Sequence, residues 1–216
     1  MDIMGNKATA YGFIAAAEKA GLKLFLGSYP ITPATDVLHE LSKHKSLGVI
    51  TVQCEDEISG CATAIGASFA GALAVTTTSG PGVCLKSEAM NLAVITELPL
   101  VVLDVQRGGP STGLPTKSEQ TDLLQALFGR NGESPMPVIA ATSPTNCFDA
   151  AYAACKMALE HMTPVVLLTD GFVANGSGSW KLPNLDTYPE IKPQYVTPEM
   201  KDNYTPVSYT HLTLPT

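Results

Sequence analysis

The sequence predicts an α/β domain of three layers, a parallel sheet with helices on both faces. Two observations carry that expectation. Six short apolar runs bounded by turn residues recur along the chain, and the segments between them place apolar residues at helical spacing. Several of the runs are apolar at consecutive positions and do not alternate, as strands covered on both faces do.

The elements follow in order. Ala10, Phe13, Ile14 and Ala17 recur at the spacing of one helix face. The first strand, Leu24 to Gly27, runs into the turn GSYPITP (27–33) and then a helical pattern at Ala34, Val37, Leu38 and Leu41. Two prolines bracket Thr32 in that turn, so the backbone is stiffened where an α/β protein presents ligands. The second strand, Val49 to Val52, meets QCEDEIS (53–59), which opens a helix of small residues from Gly60 to Gly71. The third, Leu73 to Thr77, passes through TTTSGPG (76–82) into another helix.

After the fourth strand, Leu98 to Val105, a long loop, DVQRGGPSTGLPT (104–116), is expected to be mobile. It leads to Thr116-Lys117-Ser118-Glu119, which reads as a capping box, and to a helix carrying Gln120, Leu123, Leu124 and Leu127. The fifth strand, Pro137 to Ala141, precedes a helix start at Ser143-Pro144 and a helical face of Phe148, Ala151, Tyr152, Cys155 and Leu159. The sixth strand runs from Pro164 to Thr169, and beyond Asp170 the periodicity dissolves. The expected organisation is therefore a domain at 1–178, a linker at 179–205 toward a second domain, and a non-native tail at 206–216, whose PVSYTHLTLPT resembles translated adapter sequence.

Composition narrows the function classes. With 45% hydrophobic and 15% charged residues over 216 positions, the chain can build a sizeable core. A net charge of -7 argues against nucleic acid and anionic membrane as partners. No apolar run approaches the roughly 18 residues that span a bilayer, and no secretion signal opens the sequence, so the cytoplasm is expected. The five cysteines form no C-x-x-C pair and read as reduced core thiols. His39, His44, His161 and His211 show no metal-ligand spacing, and Trp180 reads as packing at the domain edge.

Four places can carry chemistry. Thr32 is either a helix-capping hydroxyl or a ligand-facing one. Glu55, Asp56 and Glu57 suit a helix N-terminus electrostatically, yet a small-residue helix packs closely enough to bury one of them. The TTTSGPG turn lacks the patterns of a phosphate loop. Arg107 is either a surface arginine or a two-pronged anchor for a substrate carboxylate.

Taken in order and spacing, YPITP, QCEDEISGCATAIGASFAGA, TTTSGPGVCLKSEAMNLA, ELPLVVLDVQRGGPSTGLPT and SEQTDLLQALFGRNGE resemble the alpha subunits of the 2-oxoacid:ferredoxin oxidoreductases, with the 2-oxoglutarate enzymes of anaerobic bacteria nearest. The resemblance implies a fragment carrying the pyrimidine module of the thiamine-diphosphate-binding fold. It further implies oxidative decarboxylation of a 2-oxoacid to an acyl-CoA and CO2, with CoA as co-substrate and electrons passed to ferredoxin. A beta subunit, in an αβ or α2β2 assembly, is implied to hold Mg2+ and a [4Fe-4S] cluster; no metal site is implied in this chain. Asp170-Gly171 with Asn175 is a poor imitation of the diphosphate motif and is discounted.

By the same resemblance Glu57 is the carboxyl that bonds the aminopyrimidine nitrogen and favours its imino tautomer, from which the thiazolium C2 proton is removed; it is expected to be buried. Tyr29, Pro30 and Ile31 face the cofactor, Thr32 lines the substrate side, and Arg107 pairs the substrate's C1 carboxylate. Two alternatives stand beside this reading: pyruvate or another 2-oxoacid as substrate, and a non-catalytic relative serving as a dimerisation partner. A dinucleotide-binding dehydrogenase is disfavoured, because no G-x-G-x-x-G follows the first strand.

Overall fold

The computed structural model describes residues 1–195 and 197–200. The expected tail at 206–216, and the last part of the expected linker, lie outside the described residues. The main sheet has six parallel strands: β2 (Leu24–Ser28), β3 (Val49–Gln53), β4 (Leu73–Thr78), β5 (Leu100–Gln106), β6 (Val138–Ala140) and β7 (Pro164–Asp170). Their spatial order is β3-β2-β4-β5-β7-β6. From β3 the chain crosses back over β2 to lay down β4, so β2 and β4 flank the point where strand order reverses, and the crevice there is where open α/β sheets take ligands.

Both faces of the sheet are covered, which is why its strands are apolar at successive positions. Val101, Leu103, Val165 and Leu167 face α1 (Gly5–Ala20), α2 (Thr35–Leu41) and α6 (Asn146–His161), where Phe13, Leu41, Phe148 and Leu159 complete one core. Leu100, Val102, Val166 and Leu168 turn the other way, onto α3 (Glu57–Phe69) and α4 (Gly80–Ile95), with Cys61, Ala64, Val83 and Met90. The helix expected to open with Thr116 is shorter than its pattern: α5 spans only Leu123–Phe128, and Leu123 and Leu124 are exposed. Lys117 and Leu114 instead bond back to Gly108, and Gln120 Nε2 donates to Asp170 Oδ2, so tertiary bonds claim the residues of the supposed capping box.

Ser143 caps α6 as expected, its Oγ accepting from Asn146 N at 3.1 Å. A second, two-stranded sheet pairs β1 (Asp2–Met4) antiparallel with β8 (Ser177–Ser179), directly after α7 (Gly171–Asn175). The segment that follows runs back over the helices: Trp180 packs its ring on Tyr11 and Phe148, Tyr188 lies against Phe148 and Tyr152, and Ile191 is buried. The cysteines are not all core thiols. Cys61, Cys147 and Cys155 are buried, whereas Cys54 is half-buried and Cys84 is exposed. Among the described residues no helix is long and apolar enough to cross a membrane.

Candidate active site

The strand ends at the reversal point supply the site. Tyr29 directly follows β2 and is buried, with its hydroxyl 2.9 Å from Thr78 Oγ1 at the end of β4. Beside it the first turn of α3 holds Glu57, whose side chain neighbours the Tyr29 hydroxyl across Gly82. Burial, reinforced by that carboxylate against the Thr78 bond, pushes the Tyr29 phenol well above its ordinary range, so it stays a neutral donor. Gly82 on α4 makes the packing possible: a Cβ there would lie 2.1 Å from Thr78 Oγ1, 2.3 Å from Tyr29 Oη and 3.0 Å from Glu57 Cγ.

The three neighbouring acids take separate parts. Asp56 caps α3, with Oδ1 accepting from Ile58 N at 2.8 Å and Ser59 N at 2.9 Å, and those backbone bonds, the one from Ser59 foremost, hold its carboxyl below the usual range. Glu55 is exposed. Glu57, expected to be buried, is half-buried in this chain by itself, in the first turn of α3.

Arg107 follows β5 and is only 5% exposed, so it is not a surface arginine. Its Nη1 donates to Thr32 O at 2.8 Å and its Nη2 to Thr112 O at 2.6 Å, while the buried Nε has no partner. The guanidinium thus clamps the Tyr29–Thr32 turn to the loop that follows β5 and leaves its Nε–H unspent. Thr32 is exposed and meets Arg107 through its carbonyl, not its hydroxyl. Thr35, not Thr32, serves the α2 start, its Oγ1 accepting from Ile31 N at 2.8 Å. Pro30 is exposed and Ile31 half-buried on the same turn.

The loop after Arg107, expected to be mobile, is closed on itself. Gly108 N donates to Lys117 O and Leu114 N to Gly108 O, both at 2.7 Å, and Gly109 N donates to Glu119 Oε2 at 2.9 Å. Gly113 sits at φ +61 with its Cα side so close to Gly108 O that a Cβ would stand 1.8 Å from it. A cleft of about 620 Å³ remains between this loop and the start of α4, lined by Arg107, Ser111, Thr112, Cys84 and Asp122.

Three residues that the sequence reading passed over belong to this region. Lys86 on α4 is fully buried. Asp104, also fully buried, is close enough to Asp122 to feel its charge, and neither Asp104 oxygen finds a donor. Burial, and then Asp122, raise its pKa well above the carboxylate range, which favours its protonated form. Asp170, by contrast, spends Oδ1 on Phe172 N and Val173 N and Oδ2 on Gln120, and Asn175 Oδ1 accepts from Asn6, so this pair is engaged in the fold's own bonds.

The family model described as pyruvate flavodoxin/ferredoxin oxidoreductase, thiamine diphosphate binding, matches residues 15–214. The 2-oxoglutarate oxidoreductase subunit KorA of Mycobacterium tuberculosis is 60% identical over 196 residues, which are 91% of this chain and 30% of that protein. The 2-oxoglutarate synthase subunit KorA of Archaeoglobus fulgidus is 42% identical over 85% of this chain and 52% of its own length. Among solved structures, a 2-oxoglutarate:ferredoxin oxidoreductase from Magnetococcus marinus with 2-oxoglutarate, coenzyme A and succinyl-CoA bound superposes with a TM-score of 0.85 at 38% identity, covering 92% of this chain and 34% of that one. The chain spans a third to a half of the length of these relatives.

Proposed function

The chain belongs to the pyruvate flavodoxin/ferredoxin oxidoreductase family through its thiamine-diphosphate-binding module, and we propose that it forms the pyrimidine side of an enzyme that oxidatively decarboxylates 2-oxoglutarate. The observation that carries this reading is the convergence of Glu57, Tyr29, Thr32 and Arg107 at one strand reversal, with a half-open carboxyl and an unspent guanidinium donor. The residues suit the cofactor's pyrimidine end. Glu57 offers a carboxyl at a helix start, Gly82 keeps the wall beside it flat, and Tyr29 with Pro30 and Ile31 presents a stiff turn.

When bound, thiamine diphosphate supplies a carbon nucleophile that adds to the substrate's keto group and accepts the electrons left by CO2. The chain's own part is to place and protonate. Glu57 shares a proton with the ring nitrogen, and Tyr29, held neutral by burial, donates toward that carboxylate and keeps it facing the crevice. Arg107 directs Nε–H, and any donor freed from Thr112, at the substrate's C1 carboxylate, while the exposed Thr32 hydroxyl bonds the neighbouring oxygen. The cleft beside Ser111 and Thr112 takes the rest of the 2-oxoacid.

Mg2+ and the diphosphate fall to a beta subunit, since Asp170 and Asn175 are already committed here, and a [4Fe-4S] cluster is expected there too. Ferredoxin as acceptor and CoA as acyl acceptor, both in the printed name of the solved relative, complete the proposal, together with a cytoplasmic location. The test is direct: the full-length subunit with its beta partner reduces a viologen dye using 2-oxoglutarate and CoA, and Glu57→Gln abolishes this. Full activity in Glu57→Gln would overturn the assignment.

A further inference from the structure

Lys86 lies in the middle of α4 at 0% exposure, and it forms no ion pair among the described residues. Its ammonium is satisfied by two neutral acceptors, the main-chain carbonyl of Glu57 and Thr76 Oγ1, each at 2.9 Å. It also stands 5.1 Å from the centroid of the Tyr29 ring, within cation–π range. An apolar side chain of the same length would fill the space between α3, α4 and β4 without the desolvation that a buried ammonium costs. The charge therefore serves something other than packing.

Its contacts say what. Besides Thr76 they fall on the main chain of Glu57 and the ring of Tyr29, two residues whose side chains are neighbours beside Gly82. The Glu57 carbonyl is in the first turn of α3, which the Asp56 cap and the helix's own main-chain bonds also hold. We propose that Lys86 is a positioning residue, fixing the Glu57 main chain and the Tyr29 ring from below so that the Glu57 carboxyl holds one orientation toward the pyrimidine. The proposal rests on the reading of Glu57 given above. Burial weakens the hold of the Lys86 ammonium on its proton, while Cys61, Glu57, Cys54 and Asp56 nearby work the other way and help keep it charged.

The experiment uses the full-length subunit assembled with its beta partner. In the cofactor-free complex, Lys86→Met speeds deuterium exchange at the amide of Cys61, which shares the Glu57 carbonyl, by about tenfold, as expected when a local tether is lost. In the loaded complex it slows exchange of the cofactor's C2 proton by about a hundredfold, the cost of a misplaced catalytic group, while KM for the 2-oxoacid changes by less than about twofold. If Lys86→Met does not assemble, Thr76→Val leaves the ammonium one acceptor short and slows C2 exchange by about three- to tenfold. Wild-type C2 exchange in Lys86→Met, or in Thr76→Val when the first variant fails to assemble, overturns the proposal. Glu57→Gln separates the two readings: slowed C2 exchange there with normal exchange in the Lys86 variant sinks only the positioning role, and normal exchange in Glu57→Gln sinks the site itself.

Discussion

Arg107 donates to the main-chain carbonyl of Thr32 across 75 positions of sequence, joining the turn after β2 to the loop after β5 at 2.8 Å. One guanidinium thereby sets the distance between the two walls of the crevice.

Replacing it with alanine removes a buried charge and two bonds to main chain at once. Arg107→Ala is expected to lower kcat/KM for the 2-oxoacid by about a hundredfold or more. Arg107→Lys recovers little, because an ammonium lacks the planar fork that reaches both Thr32 and Thr112. Steady-state dye reduction by the assembled enzyme measures both.

The Tyr29 hydroxyl bonds Thr78 Oγ1 at 2.9 Å across the strand reversal. Tyr29→Phe keeps the ring over Lys86 and loses only the hydroxyl. It is expected to cost about 1 kcal/mol of stability and to weaken cofactor binding, read by thermal melts with and without thiamine diphosphate.

At Gly82 even one methyl group meets three side chains. Gly82→Ala is expected to destabilise the domain by about 1 to 3 kcal/mol through overpacking, against the usual helix preference for alanine. A lower melting temperature together with lost cofactor affinity identifies the collision with Tyr29 and Glu57.

The proton that burial keeps on Asp104, beside Asp122, gives stability a pH slope. The folded state binds this proton above the ordinary aspartate value of 3.8, whereas the unfolded chain has released it there. Stability contributed by the pair is therefore complete below 3.8 and declines as pH rises through the raised folded value. Asp104→Asn, neutral at every pH, is expected to flatten the slope in urea titrations run across mildly acidic and neutral buffers.

Particular residues show what the sequence could reveal. The strands from Leu24, Leu73, Leu100 and Pro164 were legible because burial on both faces forces apolar residues at successive positions, a local signal. Glu57 and Arg107 were legible as candidates through residue type and place, at the ends of strands. Lys86 was not: one lysine on a helix reads as a solvated side chain, and its burial follows from Thr76 and Tyr29, which lie elsewhere in the chain. Asp122 was likewise silent until the loop closed it onto Asp104. The helix expected at Thr116 failed for the same reason, since bonds from Gly108 and Asp170 outcompete a local capping preference. The strands at Asp2–Met4 and Ser177–Ser179 are three residues each, too short for any periodicity to register.

That small clasp carries an architectural consequence. Ile3 pairs with Gly178, and the Met1 amine donates to Trp180 O at 3.1 Å, so the first residues and those leaving the last core helix run side by side. Tension applied at the amino end would be borne by the clasp before it reached the six-stranded sheet.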